Sequence, residues 1–210
     1  MSDALILTLN AGSSSIKFGL YDTAPEPVEH LRGQIDRLGP EARLVVDGES
    51  RDVAAPDHAA GLGAILDALA PWIGGAAIAG IGHRVVHGGP DLDAPQRITP
   101  DLTRRLAALA PLAPLHQPHN LAGIAAAIAA FPDAAQVACF DTAFHRGHPW
   151  VNDTFALPRA YYAKGVRRYG FHGLSYDYIA SALQALSPTL HAGRVVVAHL
   201  GNGASMCGMI

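Results

Sequence analysis

LILTLNAGSSSIKFGL, residues 5–20, runs as an apolar strand, a turn of small residues and a second apolar strand. Leu5 to Asn10 has the continuous apolarity of a buried strand. Ser15 to Asp22 puts Ile16, Phe18 and Leu20 at every second position, the period of a half-buried strand. Between them, Ala11-Gly-Ser-Ser14 predicts a tight reversal. VVVAHLGNGASMCGMI, residues 195–210, overlays this stretch without gaps, although Ser15 and Ser205 are the only identical pair. The shared shape points to two related halves, each offering a backbone-rich turn to the same ligand.

Outward from these stretches, strand and helix signals alternate, which predicts an α/β fold. Strands are expected at Val28–Ile35, at Arg43–Val46 (closed by an Asp47-Gly48 turn), at Ala77–Val86, at Ala135–Phe140 and at Arg194–His199. Helices are expected over His58–Trp72, with Leu62, Ile65, Leu66 and Leu69 on one face, over Leu121–Ala130 and over Tyr176–Leu186. Residues 90–118 carry six prolines and read as a long shaped loop with no helix. The 210 residues suffice for one large domain or one and a half ordinary ones. The sequence stops at Ile210 inside the second strand of the repeat, so the expectation is the front portion of a longer protein.

Half the residues are apolar, 16% are charged and the net charge is −3, which argues against disorder. Arginines are scattered and there is no basic surplus, so no nucleic-acid partner is expected. The longest apolar run, Leu121 to Phe131, has 11 residues against the roughly 20 needed to cross a bilayer. No membrane association and no secretory leader are therefore expected. Cys139 and Cys207 read as reduced core thiols of a cytoplasmic protein.

Several segments carry residue types suited to anions. In the turn from Asn10 to Lys17, small residues let backbone N–H groups approach a phosphate, and Lys17, one of two lysines, adds charge. It is not a Walker A loop, and an ordinary Ser- and Gly-rich hairpin explains it equally well. His199 to Ser205 offers a second such turn, weakened by the commonness of Asn-Gly in hairpins. Arg84, in GHRVVHGG (82–89), ends a predicted strand, where α/β sheets place ligands; it either forks onto an anion or forms half of a buried ion pair. Asp141 ends another strand, as a general base, an orienting or Mg²⁺-linked carboxylate, or a simple turn residue. His172 lies in the cation- and aromatic-rich RRYGFHG (167–173), facing a phosphoryl group or merely capping a helix. His116 and His119 make a poor metal pair, because Pro118 disrupts helical spacing and no acidic or Cys partner is near; His145 and His148 fail likewise.

NAGSSSIKF (10–18), GHRVVHGG (82–89), PLHQPHN (114–120), FDTAFH (140–145), RRYGFHG (167–173) and HLGNGAS (199–205) together resemble the acetate kinase family, in order and at similar spacing. The resemblance implies a duplicated, ribonuclease-H-like, two-lobed α/β phosphotransferase fold of the actin and hexokinase kind, with lobes at 1–150 and 151–210 and the second truncated. It implies reversible transfer of the ATP γ-phosphoryl group to acetate, giving acetyl phosphate and ADP, with Mg²⁺ (or Mn²⁺), in a cytoplasmic homodimer. By the same resemblance, Asp141 and His172 are catalytic and Asn10 is metal-linked. Ser13, Ser15 and Lys17 form the first phosphate loop, and His199, Leu200, Gly201, Asn202 and Gly203 the second. Arg84 binds substrate, while Val86, Leu115, His116 and Phe171 border the acyl group. Family members are about twice this length, so the 210 residues alone are expected to be inactive. A propionate kinase and an inactive nucleotide-binding remnant remain open alternatives.

Overall fold

The computed structural model describes residues 4–201 and 203–209. β1 (Ala4–Ala11) and β2 (Ser15–Asp22) pair antiparallel, closing with Ala11 opposite Ile16. β3 (Glu29–Asp36), β4 (Arg43–Val46) and β5 (Glu49–Asp52) continue the meander. Asp47 and Gly48 both take positive φ, 47° and 88°, as a two-residue hairpin turn demands. α1 (His58–Ile73) begins on Asp57, whose carboxylate accepts from the Ala60 N–H, and ends on Gly74 at φ 55°. β6 (Ala77–Val85) then lies parallel to β1 on the side opposite β2.

The proline-rich segment corrects the sequence reading. β7 (Gln96–Arg97) is followed by α2 (Pro100–Ala108), and α3 (Gln117–Ala130) starts four residues earlier than expected. Pro100 and Pro118 both sit in the first turn of a helix, where the missing N–H has no intrahelical partner to lose. The Thr99 hydroxyl accepts from Leu102 N–H and fixes the start of α2. Proline density therefore marked two helix starts, not a loop.

β8 (Ala135–Phe140) completes an eight-stranded mixed sheet in the order β5-β4-β3-β2-β1-β6-β8-β7. Leu5, Leu7, Leu9, Phe18 and Leu20 on one face meet Leu62, Ile65 and Leu69 of α1 and Ala127 of α3. Each such leucine contributes about 1.5–3 kcal/mol by burial. α3 can approach β1 closely because Gly123 faces it: a Cβ there would stand 2.7 Å from the Ala11 Cβ.

The chain packs as two compact units. One runs to Val85 and resumes over Pro95–Cys139; the other comprises Val86–Ala94 and the residues from Phe140 on, a different line from a division at residue 150. The second unit holds 3-10 turns at Ala143–His145 and Trp150–Asp153, then α4 (Arg159–Ala163), α5 (Gly173–Leu186) and α6 (Pro188–His191). β9 (Val195–Leu200) and β10 (Ala204–Met209) form an antiparallel pair. The repeat is thus present as two hairpins, but in different register. Asn10 pairs with Lys17, whereas Leu200, its counterpart in the overlay, pairs with Ala204 and not with Cys207. Cys139 and Cys207 are free thiols, half-buried rather than fully in the core, and burial raises both above the ordinary thiol range.

Replacing Gly123 with Val is expected to destabilise the chain by about 2 kcal/mol, because the backbones must separate or the side chain must strain. Gly63→Ala, at an exposed α1 position with nothing within 4 Å, is the control and should gain stability of about 0.5–1 kcal/mol. Urea unfolding of both variants checks this; equal stabilities would refute the close packing of α3 on β1.

Candidate active site

Strand register assembles the first group of polar residues. Asn10 on β1 pairs with Lys17 on β2, and Leu9 pairs with His83 on β6, which brings Arg84 beside Asn10. Side chains directly opposite each other share a sheet face. Lys17, Asn10 and Arg84 therefore form a row, while Leu9, Phe18 and His83 are buried on the other face. Arg84 Nη1 donates to Asn10 Oδ1 at 3.1 Å. Behind the row, buried His83 meets Gln136 Oε1 at 2.7 Å, and desolvation holds its imidazole below the ordinary histidine range.

The turn between β1 and β2 has four of its carbonyls engaged. Ser15 O accepts from Gly12 N–H at 2.8 Å, and Ser14 O from Leu38 N–H at 2.9 Å. Asn120 Nδ2 of α3 donates to Ala11 O at 2.7 Å, and His58 Nε2 of α1 to Gly12 O at 2.8 Å. Ser13 and Ser14 are exposed. Leu115 and His116 are exposed residues leading into α3. His119 stacks on His58 with ring centroids 5.3 Å apart; its pKa is lowered by desolvation and then by the charges of His58 and His116. Pro118 lies in the first turn of α3, with His116 at the N-cap outside the helix and His119 within it. Among the described residues, no group of three or more His, Cys, Asp or Glu could hold a metal.

In the second unit, Asp141 is buried directly after β8, and its carbonyl accepts from Gly173 N–H at 2.8 Å. A Cβ at Gly173 would collide with Asp141 O and stand 2.8 Å from Phe144 Cβ, so glycine lets the start of α5 approach Asp141. His172, at φ 58°, precedes α5 and stacks on His199 with centroids 4.2 Å apart and planes 10° from parallel. His199 Nδ1 lies 3.3 Å from Ser175 Oγ, and the Tyr176 hydroxyl donates to Ser205 Oγ at 2.6 Å. α5 thereby holds the β9–β10 hairpin. Gly201 N–H donates to Gly203 O at 2.9 Å, Leu200 and Gly203 are exposed, and Asn202 lies outside the described residues.

Phe171 packs edge-on to His87, which also meets Tyr169 at 4.4 Å; half-buried Val86 is next to His87 in the chain. His87 Nδ1 accepts from Gly89 N–H at 2.9 Å, which in the neutral ring leaves the proton on Nε2, and burial lowers the imidazole below the ordinary histidine range. The segment carrying Phe171 and His172 is anchored by a bidentate pair, Arg146 to Asp153, at 3.0 and 2.7 Å. The Asp153 carbonyl then accepts from Arg168 N–H at 2.7 Å.

The sequence reading thus named Asn10, Lys17 and Arg84, which come together, and His172 and His199, which stack. It missed His58, Asn120, His87 and Ser175. Asn120 and His87 lay inside the quoted motifs without being singled out, and His58 and Ser175 lay outside every quoted motif; each acts on a backbone atom or a ring. A pocket of about 580 Å³ lined by Trp150, Phe155, Leu157 and Tyr162 contains none of the expected site residues.

The described residues form a mixed α/β fold whose first unit carries the Ser- and Gly-rich turn beside Lys17 and Arg84. The Acetokinase family model matches residues 5–210. The chain belongs to that family. It is 50% identical over 219 aligned positions to an acetate kinase of Methylocella silvestris, covering 96% of this chain and 54% of the relative. The crystal structure of Porphyromonas gingivalis acetate kinase superposes with a TM-score of 0.85 at 35% identity, over 98% of this chain and 55% of that one. A propionate kinase structure from Francisella tularensis gives 0.89 at 32% identity, over 100% and 55%. The chain spans about half the length of the relatives it matches.

The Arg146 bond holds the Asp153 carboxyl below the usual carboxylate range. A lowered folded value means the pair stabilises the fold above the unfolded-state pKa and is lost as pH falls through the folded one. Asp153→Asn should lose about 2 kcal/mol at pH 7, since it leaves half-buried Arg146 without its charged hydrogen-bond partner. That deficit should shrink as pH falls below about 4. Urea unfolding at pH 7, 5, 4 and 3 tests this, and a deficit unchanged across the series would refute it.

Proposed function

We propose that the chain carries the substrate side and the phosphate turns of an acetate kinase, which transfers the γ-phosphoryl group of ATP reversibly to acetate. The observation that carries this reading is the Lys17–Asn10–Arg84 row beside the Ser13–Ser14 turn, in a chain of the acetokinase family. Acetate is ionised at neutral pH, with an acid pKa of about 4, so its attack requires no strong base. A carboxylate oxygen bonds to the γ-phosphorus while the bond to the β,γ-bridging oxygen breaks, and that electron pair leaves on ADP. Catalysis is then positioning and charge neutralisation.

In this reading Arg84 pairs with the carboxylate and the transferring group, and Lys17, Ser13 and Ser15 serve phosphoryl oxygens. Asp141 orients the nucleophile and His172 donates to the charge that develops. His199, Leu200, Gly201, Asn202 and Gly203 supply the second phosphate segment. Val86, Leu115, His116 and Phe171 border the methyl group. Asn10 is the residue assigned to a Mg²⁺ or Mn²⁺ ion that phosphate and water would mainly hold, and its Oδ1, which accepts from Arg84 Nη1, would have to turn to the ion. When bound, such an ion neutralises phosphate charge. The cytoplasmic location and the homodimer go with this reading, as do two lobes at 1–150 and 151–210, although the chain's compact units divide at Val85 and Cys139 instead.

A second substrate, propionate, is favoured by the superposition on a propionate kinase. One methylene changes affinity by only about 1–3 kcal/mol in such a pocket. The longest natural protein carrying this chain should therefore form acyl phosphate, trapped as hydroxamate by hydroxylamine, from MgATP with acetate and less from propionate. No hydroxamate from acetate, propionate or butyrate would overturn the reading. In that protein Arg84→Ala should raise the acetate KM and lower kcat, whereas Asp141→Ala should lower mainly kcat. Unchanged constants in Arg84→Ala would remove Arg84 from the site.

A further inference from the structure

We infer that His58 is a positioning residue that locks the Gly12–Ser13 peptide so that the Ser13 N–H faces an incoming phosphoryl group, with Asn120 fixing the peptide before it. The inference rests on the proposed reading of this turn as a phosphate loop.

The argument starts from the planar trans peptide, in which C=O and N–H point in opposite directions. His58 Nε2 donates to Gly12 O at 2.8 Å, which turns that carbonyl toward α1. The N–H of the same peptide belongs to Ser13, and it must point the other way. Asn120 Nδ2 holds Ala11 O at 2.7 Å, and the opposite end of that peptide, Gly12 N–H, meets Ser15 O at 2.8 Å. Leu38 N–H holds Ser14 O in the same manner. Four carbonyls of the turn, those of Ala11, Gly12, Ser14 and Ser15, thus have donors. With the Gly12 carbonyl held toward α1, the Ser13 N–H is the group that its peptide turns away from that helix.

The lock has a reason to exist. Gly12 has access to backbone conformations closed to other residues, so the Gly12–Ser13 peptide can flip readily. A flipped peptide would turn the Gly12 carbonyl oxygen toward the anion, replacing attraction with repulsion. His58 and Asn120 are both buried, at 9% and 3% exposure, and sit on α1 and α3, the two helices packed on this sheet. The anchors are therefore rigid. Asn120 is followed on α3 by Gly123, which meets Ala11 from the same helix. His58 has a direct substitute test, because glutamine retains an N–H donor of similar reach and phenylalanine retains the ring without the donor.

The experiment titrates the longest natural protein carrying this chain, ¹⁵N-labelled, with sodium pyrophosphate and follows the Ser13 and Ser14 amide signals. In the wild type both signals should move. His58→Phe should shift the Ser13 signal before any pyrophosphate is added and weaken binding about tenfold. His58→Gln should restore both the signal and the affinity to within about threefold, which a merely structural role for the ring would not predict. Thermal unfolding confirms that each variant is folded; if His58→Phe is not, His58→Asn, whose amide is too short to reach Gly12 O, takes its place. Wild-type affinity and an unmoved Ser13 signal in the donorless variant would overturn the lock and leave the phosphate reading standing. No response of the wild-type turn to pyrophosphate would overturn the phosphate reading, and this inference with it.

Discussion

The register of β1 against its two neighbours is the constraint on which the first unit depends. β1 runs antiparallel to β2 and parallel to β6, so Asn10 has Lys17 on one side and Arg84 on the other. A slip by one residue on either side would exchange the polar row with Leu9, Phe18 and His83. The leucines at positions 5, 7 and 9 hold that register, because moving them would take them out of the core beneath α1 and α3. Hydrophobic burial and polar placement are here the same choice, made on opposite faces of one strand.

The backbone of the turn shows how a flexible sequence is made specific. Glycine and serines favour a reversal here, but glycine leaves several orientations open to the peptides within it. Contacts from α1, α3 and the β3–β4 connection supply what the turn lacks, through His58, Asn120 and Leu38. The second unit uses another device for its own hairpin. There, α5 reaches β9 and β10 through Ser175 and Tyr176, and His172 stacks on His199. The two hairpins share a shape but differ in register by an odd number of residues. Equivalent positions in the overlay therefore fall on opposite faces of the second strand.

Much of this was legible in the chain. Alternation in Ile16, Phe18 and Leu20 marked β2, and the four aliphatic residues of α1 marked its buried face. Asp47-Gly48 marked the turn that closes β4. The proline-rich stretch misled, because proline breaks a helix in its interior but favours its first turn, and only neighbouring caps such as Thr99 distinguish the two. His58 escaped notice because a side chain that holds a backbone carbonyl leaves no spacing or composition signal, and Asn120, though within PLHQPHN, was not assigned a role for the same reason.

The sequence by itself determined the strand–turn–strand units, the buried faces of the helices and membership in the acetokinase family, because periodicity and motif order are properties of the chain. Tertiary structure decided which residues stand together. Lys17, Asn10 and Arg84 are joined by strand pairing between positions up to 74 residues apart, and no local pattern encodes that. It also decided the direction of the turn's N–H groups, because a peptide plane is oriented by whatever reaches its carbonyl, and here the donors come from helices 46 and 109 residues away along the chain.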